Sequence, residues 1–554
     1  MAGKYNTRPI WFFLANFGMM VLLSSACVFR SIPKDTEVES HMDIIPSRLN
    51  LTKKNITGNL DINTTQIIHV TNRKFLSVAI DLDVIRKGWK HFDFNSTKLQ
   101  NLAIALSPAI LRLGGTDADF LIFNDTEANK EDIGCEGPDC RTNFTMTVDD
   151  WDKINTFASD VGWDVLFDLN MLLRRGSKWD STNAELLMQY TKKKGFQIAG
   201  WQLGNEPNHI KHHSNITISA DQLAKDFITL RQLLNQRGFK DSYLVGPDIT
   251  HPNLSSVGND LVGDEAVEFL KSFLRACGNS TQATTWHSYY VNSKYVTPDN
   301  LTDYQMMNTL KKQIYKVQQL IAKYRPSLPK SWLGETAGVS GGGYAGYSDA
   351  YAGGFLWLDK LGLSARYGVD LVIRQSFYGS HYGLLDENTL DPTPCYWISL
   401  LYKQLVGPEV LDLNVTLDDV QNESLMRNSN HVRAYAHCTK NGDISGLVNT
   451  NGSITLFIIN LQKTHPVSLT LGGQLAHKTV YKYLLLPHDD QGITAKTMDL
   501  NGKELMLSDR GAVPDLRGKK LGEDEPIWLP PFSYGFYIVE ANASTCFRRT
   551  FGGL

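Results

Sequence analysis

The 554-residue chain is 42% hydrophobic and 10% aromatic, enough apolar material for a large packed core, which excludes a disordered or low-complexity protein. Its formal net charge of −3 supplies no global attraction to nucleic acid or other polyanions, so an anionic partner has to be held by local groups. Seven cysteines, scattered along the chain, exclude a disulfide-dense scaffold and a cysteine-built zinc site.

Lys4 and Arg8 precede an uncharged stretch from Pro9 to Phe29, closed by Arg30. Residues 1–30 therefore read as a signal peptide cleaved near Ala26, or as a signal anchor whose residues 9–29 tether the chain to a membrane. Either way the rest of the chain enters the secretory pathway, for secretion, lysosomal delivery or type II anchoring. About fourteen Asn-x-Ser/Thr sequons, among them Asn55, Asn63, Asn95, Asn215 and Asn414, agree with that route. Residues 31–65 are polar and carry three of these sequons without a sustained period, which predicts a glycosylated stem. Cys135 and Cys140 are spaced to close a small loop, and Cys438 with Cys546 to tie the tail to an earlier strand. Sequence alone does not fix this connectivity. Cys277 and Cys395 remain as buried thiols.

From Gln66 the pattern becomes regular. Short apolar or β-branched runs occur at Phe75–Ile80, Ile110–Gly115, Trp163–Asn170 and Ile198–Glu206. Four more follow at Ser242–Asp248, Ala283–Tyr290, Lys330–Glu335 and Val369–Ser376. Helical patterns separate them, as at Ser219–Arg237, where Leu223, Phe227, Leu230 and Leu234 recur at helical spacing. Eight strands alternating with helices predict an α/β fold, a (β/α)₈ TIM barrel over residues 66–404. After about Leu405, alternating runs such as Ile454–Ile459 and Tyr534–Val539 are separated by Gly, Asn, Asp and Pro clusters. These predict an antiparallel β-sandwich over residues 405–554, which the strand-like Ile67–Thr71 is expected to join.

Two glutamates end strand-like runs: Glu206 in Trp-Gln-Leu-Gly-Asn-Glu-Pro-Asn, closing the fourth strand, and Glu335 in Ser-Trp-Leu-Gly-Glu-Thr, closing the seventh. Parallel βα barrels carry their chemistry at the C-terminal ends of strands. Two carboxyls meeting there can cleave a glycosidic bond, one protonating the leaving oxygen while the other attacks or activates water. A proton donor of this kind needs a raised pKa and gives an acidic activity optimum. Asn205, directly before Glu206, is suited to bind a sugar 2-hydroxyl, and Tyr289, near the end of the sixth strand, to hydrogen-bond one of the two carboxylates. Trp201, Trp286 and Trp332 read as barrel wall rather than sugar-stacking platforms. No cofactor or metal is called for, since Lys211, His212 and His213 lack a spaced carboxylate partner.

Five motifs together resemble the heparanase-type endo-β-glucuronidases, a family that includes the leech-type hyaluronidases. They are Phe-Leu-Ser-Val-Ala-Ile-Asp (75–81), Leu-Ser-Pro-Ala-Ile-Leu-Arg-Leu-Gly-Gly-Thr (106–116), the Glu206 motif, Thr-Trp-His-Ser-Tyr-Tyr (285–290) and the run from Trp332 to Arg366. The resemblance implies a retaining glycosidase with Glu206 as acid/base and Glu335 as nucleophile. It further implies that His287 sits beside the acid and that Asp81, Thr116, Gly341, Gly342, Gln375 and Tyr382 line the cleft. The glycine amides would there receive a uronate carboxylate. Three departures stand out. Asp83 occupies a position where heparanase proper has Asn, adding negative charge near the sugar. Ser288 replaces a second His. Only Asn124–Thr147 fills the place of a long excised linker, which predicts a single-chain enzyme. The implied partner is a glycosaminoglycan polymer and no nucleic acid, with heparan sulfate first and hyaluronan second. A catalytically silent glycosaminoglycan-binding protein is the reading from another class. Arg174, Arg175, Lys178 and Lys211 are candidate sulfate contacts, while oligomeric state is not legible.

Overall fold

A computed structural model describes residues 55–124, 141–252, 265–328, 330–418, 430–442, 444 and 450–547. The targeting segment with residues 9–29, most of the expected stem, and the Cys135–Cys140 loop lie outside the described residues. Among the described residues no helix is long and apolar enough to cross a membrane.

Eight parallel strands close into a barrel: Leu76–Asp81, Ala109–Gly114, Trp163–Leu169, Ile198–Leu203, Tyr243–Ile249, Ala283–Ser288, Ser331–Thr336 and Leu371–Arg374. Each pairs with the next in the chain and the eighth with the first. The strands are buried on both faces, sealed inside by side chains and outside by helices, so they read as continuous apolar runs rather than alternating ones. The helix Ala220–Gln236 illustrates the outer ring. It is capped by the Ser219 hydroxyl accepting from the Gln222 N–H and buries Leu223, Phe227, Leu230 and Leu234.

The C-terminal strands form one continuous eleven-stranded, mostly antiparallel sheet rather than two separately bonded ones. Period-two alternation gives its strands two different partners. Along Ile454–Asn460, Ile454, Leu456 and Ile458 join a core enclosed by the sheet itself, while Phe457 and Ile459 join the core shared with the barrel. The Cys438–Cys546 disulfide ties the tail to this sheet, and Cys277 and Cys395 are free and buried.

The expected stem over 31–65 requires correction. Ile56–Val70 is a single strand inside the sheet, antiparallel to Val406–Leu417 and parallel to Val467–Leu471. Its alternation runs through Ile56, Gly58 and Leu60, which point inward, while Asn55 and Asn63 are exposed. The expected joining strand Ile67–Thr71 is the end of this longer element.

Helix Gly353–Arg366 is wedged between barrel and sheet and buried over nearly its whole circumference. At Gly362 a Cβ would meet the Tyr435 ring at 2.3 Å, so only glycine allows this approach. Its neighbours Asp359 and Lys360 face opposite ways. Asp359 accepts from Arg433 Nε at 2.5 Å and from the Tyr435 hydroxyl at 2.5 Å in the sheet. Lys360 Nζ donates to the Ser288 and Ala337 carbonyls at 2.7 and 2.8 Å and to Thr336 Oγ1 at 2.7 Å. Burial pushes the Lys360 pKa well down, whereas three acceptors match the three ammonium protons. One helix thus fastens the ends of the sixth and seventh barrel strands to the sheet.

Candidate active site

Glu335 ends the seventh strand and Glu206 lies three residues past the fourth, at φ 47°, with its N–H donating to Asp248 O. The carboxylates meet around His287 from the sixth strand. His287 Nδ1 is 2.8 Å from Glu206 Oε1 and 3.9 Å from Glu335 Oε1. Those two legs laid end to end put a ceiling of about 6.7 Å on the separation of the two oxygens. Inverting pairs span roughly 6.5–9.5 Å and retaining pairs about 5–5.5 Å. The ceiling admits the retaining spacing and leaves out nearly all of the inverting range.

Each oxygen of Glu335 has its own donor: the Tyr289 hydroxyl to Oε1 at 2.7 Å, and Arg112 Nη1 to Oε2 at 2.9 Å. Burial, and then Glu335 itself, raise the Tyr289 pKa, so the phenol stays a neutral donor. Arg112 is fully buried and also donates to Gln202 Oε1 (2.9 Å), Asn205 Oδ1 (2.8 Å) and Asp248 Oδ2 (2.6 Å). It holds the Asn205 amide by its oxygen, leaving the amide nitrogen to donate to a ligand. The Asn205 N–H is bound by Asp119 Oδ2 at 3.0 Å. Gly114 and Gly115 make this packing possible, because a Cβ there would strike the Arg112 guanidinium at 2.6 Å and Asp81 Oδ2 at 2.4 Å.

His287 is buried, and burial alone would lower its pKa. Asp248, 3.1 Å from Nε2, and Glu335 raise it to about 10. Glu206 shows the converse. Burial raises its pKa, but the hydrogen bond and charge of His287 bring it below the ordinary carboxylate value. The expected raised donor pKa is thus not met in the open cleft, because the shared proton rests on His287. A sugar covering the Glu206 carboxylate, which is 25% exposed, removes water from the pair and moves the proton toward the neutral acid.

Of the cleft residues implied by resemblance, Asp81, Gln375 and Tyr382 come together. Gln375 Nε2 donates to Asp81 Oδ2 at 3.3 Å, and the Tyr382 ring lies 6.5 Å from that of Tyr289. Asp81 is pushed well up, first by burial and then by Asp83 and Asp117. Asp83 lines the same cavity but is paired with Lys87 at 2.5 Å. Gly341, Gly342 and Gly343 have φ of 69°, 87° and 83°. Their loop packs on residues 380–382, with the His381 N–H donating to Gly342 O. Thr116 opens the short turn Thr116–Phe120 directly after the second strand and shares no hydrogen bond with the others. Trp201, Trp286 and Trp332 are buried in the barrel wall. Arg174 is nearly buried and held by Asp226, whereas Arg175 pairs with Asp180 at the surface and keeps its side chain 75% exposed.

Sequence reasoning missed Arg112, Asp119, Asp168 and Asp248, which stand behind the glutamates. A signal was present for two of them: Arg112 interrupts the apolar run Ile110–Leu113, and Asp248 ends the fifth predicted strand as the glutamates end theirs.

The sequence model described as "Glycosyl hydrolase family 79, N-terminal domain" matches residues 83–362, the stretch that carries both glutamates. The chain belongs to glycosyl hydrolase family 79. Its relatives within the curated proteins span nearly their full length. Heparanase of Bos taurus is 36% identical over 531 residues, covering 88% of this chain and 92% of the bovine protein. Inactive heparanase-2 of Homo sapiens is 32% identical, over 88% and 90%. Hyaluronoglucuronidase of Hirudo nipponia is 33% identical, over 88% and 98%. Among solved structures, the 4-O-α-L-rhamnosyl-β-D-glucuronidase of Fusarium oxysporum superposes with a TM-score of 0.60 at 14% identity, covering 87% of this chain and all of that one, which speaks to the fold alone. Family 79 thus contains a relative named as inactive, so membership does not decide catalysis and the site geometry has to.

The buried charges of this family 79 site fix how its stability depends on pH. Burial pushes Asp119 up to about 7 against the N–H groups of Asn205 and Met171, and raises Asp168 in the same direction. The fold holds protons there that the unfolded chain releases near 3.8, so stability falls as pH rises from about 4 to 7. His287 adds stability that is complete below 6.5 and lost as pH rises through about 10. The depressed Asp248 and Glu206 act oppositely, their contributions being lost as pH falls below 3.8 and 4.5. Above pH 7 the lowered Lys360 and Lys403 act against His287, so the check is a difference: between pH 7 and 10 the melting temperature of the wild type is expected to lose ground to that of His287→Gln. An identical pH dependence of the two proteins would contradict the charge assigned to His287.

Proposed function

We propose that the chain is a retaining endo-β-glucuronidase that cuts heparan sulfate. The reading is carried by the paired carboxylates: Glu335, held by Tyr289 and Arg112, within reach of Glu206, which shares a proton with His287. In the first step Glu335 attacks the anomeric carbon while Glu206 passes its proton to the departing glycosidic oxygen, giving a covalent glycosyl-enzyme. In the second, Glu206 takes a proton from water, which displaces Glu335 and restores both groups. The nucleophile needs to remain ionised and aimed, and two donors on its two oxygens supply that. Asn205, its oxygen fixed by Arg112, presents its amide nitrogen for the sugar 2-hydroxyl, a bond that strengthens as the oxocarbenium ion develops.

Heparan sulfate is favoured by the extent of similarity to the heparanases. A second reading, hyaluronan, is supported by the buried pairing of Arg174 with Asp226, which leaves one fewer cation for a densely sulfated chain. Hyaluronan carries one carboxylate per disaccharide and demands less. The catalytically silent alternative would not require both carboxylates to keep their donors. Digesting both polymers side by side and sizing the products tests the proposal. Large fragments from heparan sulfate, with a new glucuronate reducing end, are expected. Intact heparan sulfate under conditions where hyaluronan is cut would transfer the assignment to the second reading, and two intact polymers would end it.

A further inference from the structure

Beside the reacting pair lies a cavity of about 190 Å³, lined by Asp81 and Tyr382, both close enough to Glu335 to feel its charge, together with Gln375, Lys87, Lys90 and His91. It shares Ser380, Glu387 and Asn388 with a larger space of about 690 Å³ between the barrel loops and the sheet, so a chain leaving the site on this side has room to continue.

The segment that carries the three basic residues is held in an unusual backbone form. Gly88, Trp89 and His91 have φ of 65°, 58° and 62°, the left-handed region that costs a non-glycine residue about 1 kcal/mol or more. Two anchors hold it there. The Trp89 indole N–H donates to Asp150 Oδ1 at 2.8 Å, and its ring packs edge-on against Phe94 at 4.7 Å. The Tyr378 hydroxyl, from the loop after the eighth strand, donates to Lys90 O at 2.5 Å. With the backbone fixed from both sides, the exposed Lys90 and His91 side chains make no ion pair or hydrogen bond among the described residues. Lys87, by contrast, is occupied by Asp83. Besides Asp83, two carboxyl groups line the cavity. Asp81 is held toward its neutral form by burial, and Glu387 Oε2 accepts from the Ser380 N–H at 3.4 Å.

We propose that Lys90 and His91 form a subsite for the acidic group, carboxylate or sulfate, of a sugar neighbouring the one that is attacked. The assignment rests on the polysaccharide-cleaving reading above and adds to it a group that selects chains by the charge next to the cut. A wall held in strained geometry, carrying an unpartnered ammonium and an unpartnered imidazole in the cavity that Asp81 and Tyr382 also line, suits a ligand that brings its own anion.

The full-length double variant Lys90→Ala, His91→Asn tests this. Alanine keeps the carbonyl that Tyr378 binds, and asparagine accepts the left-handed backbone, so an unchanged melting temperature is the control for folding. KM and kcat are measured on heparan sulfate and on the unsulfated glucuronate–N-acetylglucosamine polymer. The expected result is a KM raised about three- to tenfold with kcat within about twofold, the difference shrinking at high salt. A rise on both polymers assigns the subsite to a carboxylate, and a rise on the sulfated polymer alone assigns it to a sulfate. Unchanged KM on both, or a fall in kcat at constant KM, overturns the subsite while leaving the glucuronidase reading standing. A wild-type protein that cuts neither polymer removes both.

Discussion

Glu335→Gln is expected to lower polymer cleavage at least about a thousandfold, roughly 4 kcal/mol of transition-state stabilisation, while polymer binding and folding persist. Glutamine has the shape of the native side chain, and the surrounding donors accommodate it. Its amide oxygen can accept from Arg112 Nη1, and its nitrogen can donate to the Tyr289 hydroxyl, which then serves as an acceptor. What disappears is the negative charge that forms the bond to the anomeric carbon. Initial rates on heparan sulfate, with melting temperature and polymer binding as companions, check the expectation. Cleavage within tenfold of wild type would show that Glu335 is not the attacking group.

The second large effect concerns Arg112. Arg112→Leu is expected to destabilise the fold by about 3–5 kcal/mol and to abolish cleavage. The guanidinium is fully buried and bonds Gln202, Asn205, Asp248 and Glu335, with Asp168 3.5 Å away. Burial by itself would lower its pKa, but Asp248, Glu335 and Asp168 raise it above the ordinary value, and it in turn holds Asp248 below the ordinary carboxylate range. Removing it strands those acids in the barrel without a counter-charge and frees Asn205 to turn. Arg112→Lys separates the two consequences. It restores a charge, and with it part of the stability, but a single ammonium cannot span four acceptors, so cleavage stays low. Urea unfolding and initial rates on the three proteins test this. A Leu variant as stable as wild type would refute the electrostatic account.

The barrel was legible because every one of its strands is a short apolar run stopped by a polar loop, and all eight predicted runs overlap observed strands within a few residues. Ile56–Val70 was hidden for a physical reason. It lies toward the end of the sheet with one face exposed, and its inward face is built partly from glycine, so Thr, Asn and Asp are as frequent in it as Ile, Leu and Val. The glutamates announced themselves by position at strand ends. Their supports did not, since a charge inside an apolar run is read as an interruption when, as at Arg112, it is the centre of the site. Lys360 is a similar case. Lysine in an amphipathic helix reads as solvent-facing, yet this helix is buried all round and its lysine fastens the two strands that bring His287 and Glu335 to the cleft. The donor pKa was misjudged because His287 was placed beside Glu206 without its other partner, Asp248, which makes the imidazole the better base.

Double displacement through Glu335 is reported directly by the stereochemistry of the first product. Proton NMR of a glucuronide-containing oligosaccharide during the first minutes of cleavage is predicted to show the β-anomer at the new reducing end, with the α-anomer appearing only by slow mutarotation. An initial burst of α-anomer would mean that water attacks the sugar in a single step, with Glu335 as general base, and its assignment as the nucleophile would be wrong.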